Sequence, residues 1–338
     1  MILNANLNPN FYLRPILLQG HTRPLTQIKY NREGDLLFTV AKDKVANVWY
    51  AHNGERLGTY NGHNGSIYTI DVTNDTTYCI TGSGDNTAKL WKVSDGKCLY
   101  TWNEKTAVKR CEFSCSQDKV LFVTEQRMGF PGGVSIYKLD FENPQNTSPV
   151  PINVIKNEKD SKKITVATWA WFDKNLVVGH LDGSVSLIDW ETGKVLNSIK
   201  PHEEQITDIQ MSEDKSYFIT SSKDKEAKIF ETSTLKMLKS YTTDTPLNSA
   251  SITPIQDFVI VGGGQEAMDV TTTSARAGKF ECRFYHKIYS EEMGRLKGHF
   301  GPINTIAAQP TGKGFASGGE DGYVRLHQFD NDYFTFRV

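Results

Sequence analysis

The chain has 338 residues, 38% of them hydrophobic, and 38 basic residues stand against 39 acidic for a formal net charge of −1. This is ample for a packed core, and the balanced charge disfavours direct binding to phosphate backbones, so no direct sequence-specific nucleic-acid binding is expected. No apolar run approaches the ~20 residues of a membrane helix, and the opening MILNANLNPNFYLRP lacks the basic start of a signal peptide.

Five cysteines, Cys79, Cys98, Cys111, Cys115 and Cys282, show no paired CxxC spacing. An odd set without pairs predicts reduced thiols in a cytoplasmic protein and argues against a disulfide framework or a zinc site. No metal and no cofactor are expected.

In chain order, the first predicted element is a strand over residues 14–18, followed by Gly20-His21. Gly62-His63 comes 42 residues later, and Pro201-His202 and Gly298-His299 extend the series. From each histidine a step of 18 reaches Thr39, Thr81, Thr220 and Ser317, and a step of 22 reaches Asp43, Asp85, Asp224 and Asp321. A step of 28 reaches Trp49, Trp91, Phe230 and His327. Between these landmarks residues 66–72, 78–81 and 87–91 alternate as strands do, and 73–75, 83–86 and 94–96 are rich in turn residues. Each unit reads as four short antiparallel strands, the pattern of a propeller blade.

Two weaker units follow the same plan. Residues 132–137 supply a third strand without the aspartate, and 180–188 supply both. The intervals from Asp85 to Asp182 and from Asp224 to Asp321 are each 97 residues, two repeats plus 13, which places insertions near 140–163 and 265–279. The fold predicted is all-β, a single seven-bladed propeller over residues 1–338, with third strands ending near Trp49, Trp91, Tyr137, Ile188, Phe230, Phe284 and His327. The N-terminal strand is expected to join the last blade and shut the ring, because an unpaired edge is a liability.

Histidine, hydroxyl and aspartate in register invite a hydrolase reading. A catalytic set occurs once, whereas this one occurs four times with a ring as fourth member. The expectation is therefore a structural hydrogen-bond network in each blade and no catalytic residue. Phe230 cannot donate, so the fifth blade is expected to lack one partner and to be less rigid. The glycines of GGGQEAMDVTTTSARAGKF, residues 262–280, are followed by no lysine where a phosphate-binding loop needs one.

Several segments go further than the repeat. GHTRPLTQIKYNREGDLLFTVAKDKVANVWY, NGERLGTYNGHNGSIYTIDV, GGGQEAMDVTTTSARAGKFECRFYHKIY, GRLKGHFGPINTIA and SGGEDGYVRLHQF together resemble the family of i subunits of eukaryotic translation initiation factor 3. The resemblance covers nearly the whole chain and is poorest over 125–133 and 140–163. It implies a non-catalytic WD-repeat scaffold that binds the factor's b subunit (through that subunit's C-terminal segment) and its g subunit, and that supports assembly on the small ribosomal subunit. A WD-repeat adaptor in signalling or protein degradation is the rival of another class.

A partner helix laid in a side groove needs an apolar anchor and charges at the rim. Near blades five and six the candidates are Tyr241, Leu247 and Phe280 for apolar contact, with Asp244 and Asp224 for an arginine. Glu266 and Asp269 join them from the insertion. The tail aromatics Tyr333, Phe334 and Phe336 are a second candidate, either for docking or for packing on the propeller itself.

Overall fold

The structure is a computed structural model that describes residues 15–144, 147–157, 162–265 and 280–335. Strand β1 (Ile16–Leu18) comes first and alone. Blade one is Leu25–Tyr30, Leu36–Ala41, Ala46–Tyr50 and Arg56–Tyr60 (β2–β5). Blade two is Ile67–Val72, Tyr78–Ser83, Thr87–Lys92 and Cys98–Asn103 (β6–β9). Blade three is Val108–Phe113, Lys119–Thr124, Gly133–Lys138 and Asn153–Lys156 (β10–β13). Blade four is Ile164–Trp169, Asn175–His180, Val185–Asp189 and Val195–Ile199 (β14–β17). Blade five is Ile206–Met211, Tyr217–Ser222, Glu226–Glu231 and Met237–Thr242 (β18–β21). Blade six is Leu247–Ile252, Phe258–Gly263, Glu281–His286 and Glu292–Lys297 (β22–β25). Blade seven contributes Ile303–Ala308, Gly314–Gly319 and Val324–Gln328 (β26–β28), and β1 is its fourth strand, paired Leu17 to Arg325.

The first strands of successive blades touch around the axis, and β26 touches β2, so the sheets form a closed seven-bladed β-propeller. The cores lie between blades rather than within them. Phe38, Val40 and Val48 of blade one, for example, pack with Ile67, Ile70, Cys79 and Trp91 of blade two. A strand that alternates its side chains serves one neighbour with each face, which is why these short strands are apolar on both.

One irregularity recurs in every blade. The pairing of the first two strands slips between Leu25 and Gln27, Ile67 and Thr69, Val108 and Arg110, Ile164 and Val166, Ile206 and Asp208, Leu247 and Ser249, and Ile303 and Thr305. The residue skipped is a β-bulge, unpaired within its own sheet and free to reach sideways. In five blades its side chain donates to the next blade's backbone: Thr26 to Ile67 O (2.6 Å), Thr165 to Ile206 O (2.7 Å), Thr207 to Leu247 O (3.1 Å), Asn248 to Ile303 O (2.9 Å) and Asn304 to Leu25 O (2.9 Å). Blades two and three carry Tyr68 and Lys109 instead, and the Lys109 ammonium sits 3.8 Å from the Tyr68 ring centroid.

The segment 140–163 differs from the expected insertion, because it also contains β13, the fourth strand of blade three. After β28 a short helix, α1 (Asn331–Thr335), places Tyr333 flat on Phe329, centroids 3.8 Å apart, and 5.6 Å from Phe258. Phe334 stays exposed, and Phe336 lies outside the described residues.

Leu18 is only 2% exposed and plugs the junction between blades seven and one, whereas neighbouring Leu17 is 44% exposed. Leu18→Ala is expected to cost about 2–5 kcal/mol in urea unfolding, and Leu17→Ala to stay within about 0.5 kcal/mol.

Candidate functional site

The histidine sets come together as four separate networks, one in each of blades one, two, five and seven. In blade one His21 Nδ1 is 2.9 Å from Asp43, His21 Nε2 is 2.8 Å from Thr39 Oγ1, and Trp49 Nε1 is 2.9 Å from the same oxygen. Blade two repeats this with His63, Asp85, Thr81 and Trp91 at 3.0, 2.7 and 2.8 Å. An indole N–H only donates, so the threonine accepts from it and passes its own proton to Nε2. The ring proton is thereby placed on Nδ1, facing the carboxylate. The donors run one way, from Trp through Thr and His to Asp.

The aspartates also tie down the chain. Asp43 accepts from the N–H of Thr22 at 3.0 Å and Asp85 from that of Asn64 at 2.8 Å. Burial opposes the charge on Asp85, but hydrogen bonds from Thr87, Asn64 and His63 outweigh it and hold the carboxyl below its ordinary range. Burial pushes the His63 pKa down, against the pull of Asp85.

Blade five keeps His202–Asp224 and His202–Thr220, both at 2.8 Å, without a ring donor. Phe230 is fully buried and stacks on Phe218, centroids 5.4 Å apart, while the Lys228 carbonyl stands 3.3 Å from Thr220 Oγ1. His202, Asp224 and Glu226 place ligand-type atoms within 4.8 Å of one another. Their cation is already supplied by Lys228, whose ammonium lies 2.7 Å from Glu226.

Blade seven adds an arginine to the network. His299 Nε2 is 2.8 Å from Ser317 and Nδ1 is 3.1 Å from Asp321, but Arg325 Nη1 lies 2.7 Å from Nδ1 and 3.1 Å from Asp321. A guanidinium only donates and a carboxylate only accepts, so Arg325 and Asp321 make opposite demands on Nδ1. His327 takes no part in place of the tryptophan. It stacks on Phe315, centroids 4.4 Å apart, and its Nδ1 has no hydrogen-bond partner among the described residues. Arg325 was missed in the sequence because the step of 28 looked only for a ring. A basic residue two before the ring position, shared with Lys89 and Lys228, was the available signal.

In the place of a histidine network, blade six has an ion pair between Arg283 and Asp244, and Arg295 and Lys297 lie 3.4 and 3.5 Å from the buried Glu281. This corrects part of the docking set. Tyr241 is 1% exposed, with its hydroxyl donating to Lys287 O at 2.6 Å, and Leu247 is 2% exposed in the core between blades five and six. Neither reaches a partner, because the fully apolar inter-blade face claims both. Asp224 is held by His202 and Asp244 by Arg283 of the same chain. Phe280 is half-buried, and Glu266 and Asp269 lie outside the described residues.

The glycine triplet is explained by packing. A Cβ on Gly262 would come within 2.5 Å of Ile306, and one on Gly263 within 2.1 Å of Pro246 O. Gly264, with φ +140°, leaves room for Phe280, whose ring a Cβ would approach to 2.9 Å.

A closed ring of seven four-stranded sheets, tied by His–Thr/Ser–Asp networks in this register, defines a WD-repeat β-propeller. The family profile described as EIF3I matches residues 13–338. Eukaryotic translation initiation factor 3 subunit I of Botryotinia fuckeliana is 57% identical over 328 residues, 96% of this chain and 97% of that protein. The protein of that name from Schizosaccharomyces pombe is 55% identical over 327 residues, covering 96% and 99% of the two. The chain belongs to the family of eukaryotic translation initiation factor 3 subunit I.

Thr81→Val removes one acceptor and one donor at once, leaving Trp91 and His63 each short of a partner. An expected loss of about 1–3 kcal/mol for each buried group is read by urea unfolding. Burial pushes the His327 pKa down to about 3, helped by nearby His299 and Arg325. The unfolded chain binds that proton near 6.5 and the folded one only near 3, so stability is lost as pH falls through this window. His327→Phe is expected to be more stable than the parent, with a gain larger at about pH 5 than at about pH 8.

Proposed function

We propose that the chain is a non-catalytic scaffold subunit of translation initiation factor 3. In this reading it works in the cytoplasm, holds the C-terminal segment of the b subunit and the g subunit, and helps assembly on the small ribosomal subunit. Family membership over nearly the whole chain carries this reading. The hydrogen bonding favours it over a hydrolase: His21, His63, His202 and His299 each have both ring nitrogens engaged within their own blade.

Docking by the b subunit is placed at the rim of blades five and six, with different residues from those first expected. On β21, Met237 is 52% and Leu238 47% exposed, an apolar pair on an outer edge. Tyr241, farther along the same strand, and Leu247 of β22 lie in the core between blades five and six, and Asp244, paired with Arg283, follows the other end of β21.

Affinity purification of the tagged chain with mass spectrometry, and sedimentation of the same lysate, tests the scaffold reading. The b and g subunits are expected to come along, and the chain to migrate beside small ribosomal subunits. Signalling or ubiquitin-ligase components without ribosomal migration would favour the adaptor. Met237→Asp combined with Leu238→Asp is expected to weaken b-subunit binding about tenfold or more, or about 1.4 kcal/mol, with g-subunit recovery unchanged. Undiminished b-subunit binding would move the docking site elsewhere.

A further inference from the structure

Blade three departs from its neighbours at the connection between β11 and β12. Blades two and five cross there in three residues, 84–86 and 223–225, whereas blade three uses 125–132. The extra length forms a small hairpin. Arg127 and Phe130 exchange backbone hydrogen bonds at 3.1 and 3.0 Å around Met128 and Gly129. Both central residues have positive φ, +51° and +82°. This is the geometry of a two-residue turn that favours Asn and Gly, so a methionine in its first position is strained.

That strain is not repaid by packing, since Met128 is 86% exposed at the tip and Phe130 41%. The hairpin is nonetheless braced, because the Lys105 ammonium lies 5.5 Å from the Phe130 ring centroid. The charge around it is mainly basic, with Lys105, Lys109 and Arg127 against Glu104 and Glu125. Lys105 and Arg127 are exposed and make no ion pair among the described residues, although Lys105 feels the charge of neighbouring Glu104. Glu125 pairs with Lys109 at 3.6 Å, and Glu104 accepts from Tyr137 at 2.7 Å. Blade four adds the exposed Leu181 at its own connection on the same end of the ring.

We propose that this end of blades three and four is a docking surface for an acidic linear segment of a partner subunit, which sets an apolar side chain against Met128 and Phe130. Charge complementarity selects the acidic residues, and an exposed methionine suits an adaptable apolar contact. Single-stranded RNA fits less well, because it needs free aromatic faces for stacking. Here Lys105 covers a face of Phe130, and Lys109 covers Tyr68. The site is separate from the rim of blade five, so either can fail alone, and the scaffold reading enters only in the choice of probe peptides.

Overlapping short peptides covering the b and g subunits would be arrayed and probed with the full-length chain. The strongest acidic peptide would then be labelled and titrated by fluorescence anisotropy. Binding is expected to weaken about tenfold or more in Arg127→Glu and in Met128→Ser, to weaken with added salt, and to be unchanged in Met237→Asp/Leu238→Asp. Both blade-three variants alter exposed side chains, so thermal melting should match the parent. The proposal is overturned if no acidic peptide binds, if these variants bind it as the parent does, or if a labelled oligouridylate is bound instead and lost in the same variants.

Discussion

The structure depends on a sheet having two faces. Each blade is apolar on both, so it is buried only when another blade stands on either side, and a row of blades satisfies this only by closing into a ring. Closure falls on β1, three residues from the start of the described chain that pair with β28 near its end. Blade seven is thereby built from both ends of the sequence, and the junction with blade one is packed by Leu18, Leu25 and Trp49.

Burial of the faces does not by itself set how the blades meet around the axis. The bulge in each first strand turns one residue out of its own ladder, and in five of the blades that residue reaches the neighbour's carbonyl. Charge crosses the axial cavity of about 1050 Å³ as well. Lys29 of blade one pairs with Asp71 of blade two at 3.1 Å, and Arg110 of blade three reaches Asp208 of blade five at 3.2 Å. The Asp71 carboxylate is the main reason that the Lys29 pKa is raised despite burial. A balanced set of charges in a confined space holds the ring without making the channel attractive to ions of one sign.

The networks show how much variation one blade plan accepts. In blades one, two, five and seven an aspartate that accepts two backbone N–H groups fixes the crossing between the blade's entry and its second turn. The remainder of the chain of donors can change. Trp49 starts it in blade one, no ring donor does in blade five, and Arg325 joins it at Nδ1 in blade seven. Blade three dispenses with the set and spends the room on the Arg127–Phe130 hairpin, a change of local structure that leaves the sheet intact.

The repeat was legible in the sequence because its landmarks act locally. His21, Thr39 and Asp43 lie within one blade, so their spacing is the blade's own geometry, and the closing strand could be inferred from the strand that precedes Gly20-His21. The extra thirteen residues between Asp85 and Asp182 were visible as length, but not that β13 lay in the segment 140–163. What the tertiary structure decided is which side chains remain in water. Tyr241 and Leu247 read as plausible anchors because a strand's alternation does not say which of its faces meets a neighbour, and in a propeller both do. The exposure of Met128 and Met237 was likewise set by contacts among distant segments. Spacing along a chain determines the blade, and the company each blade keeps determines its surface.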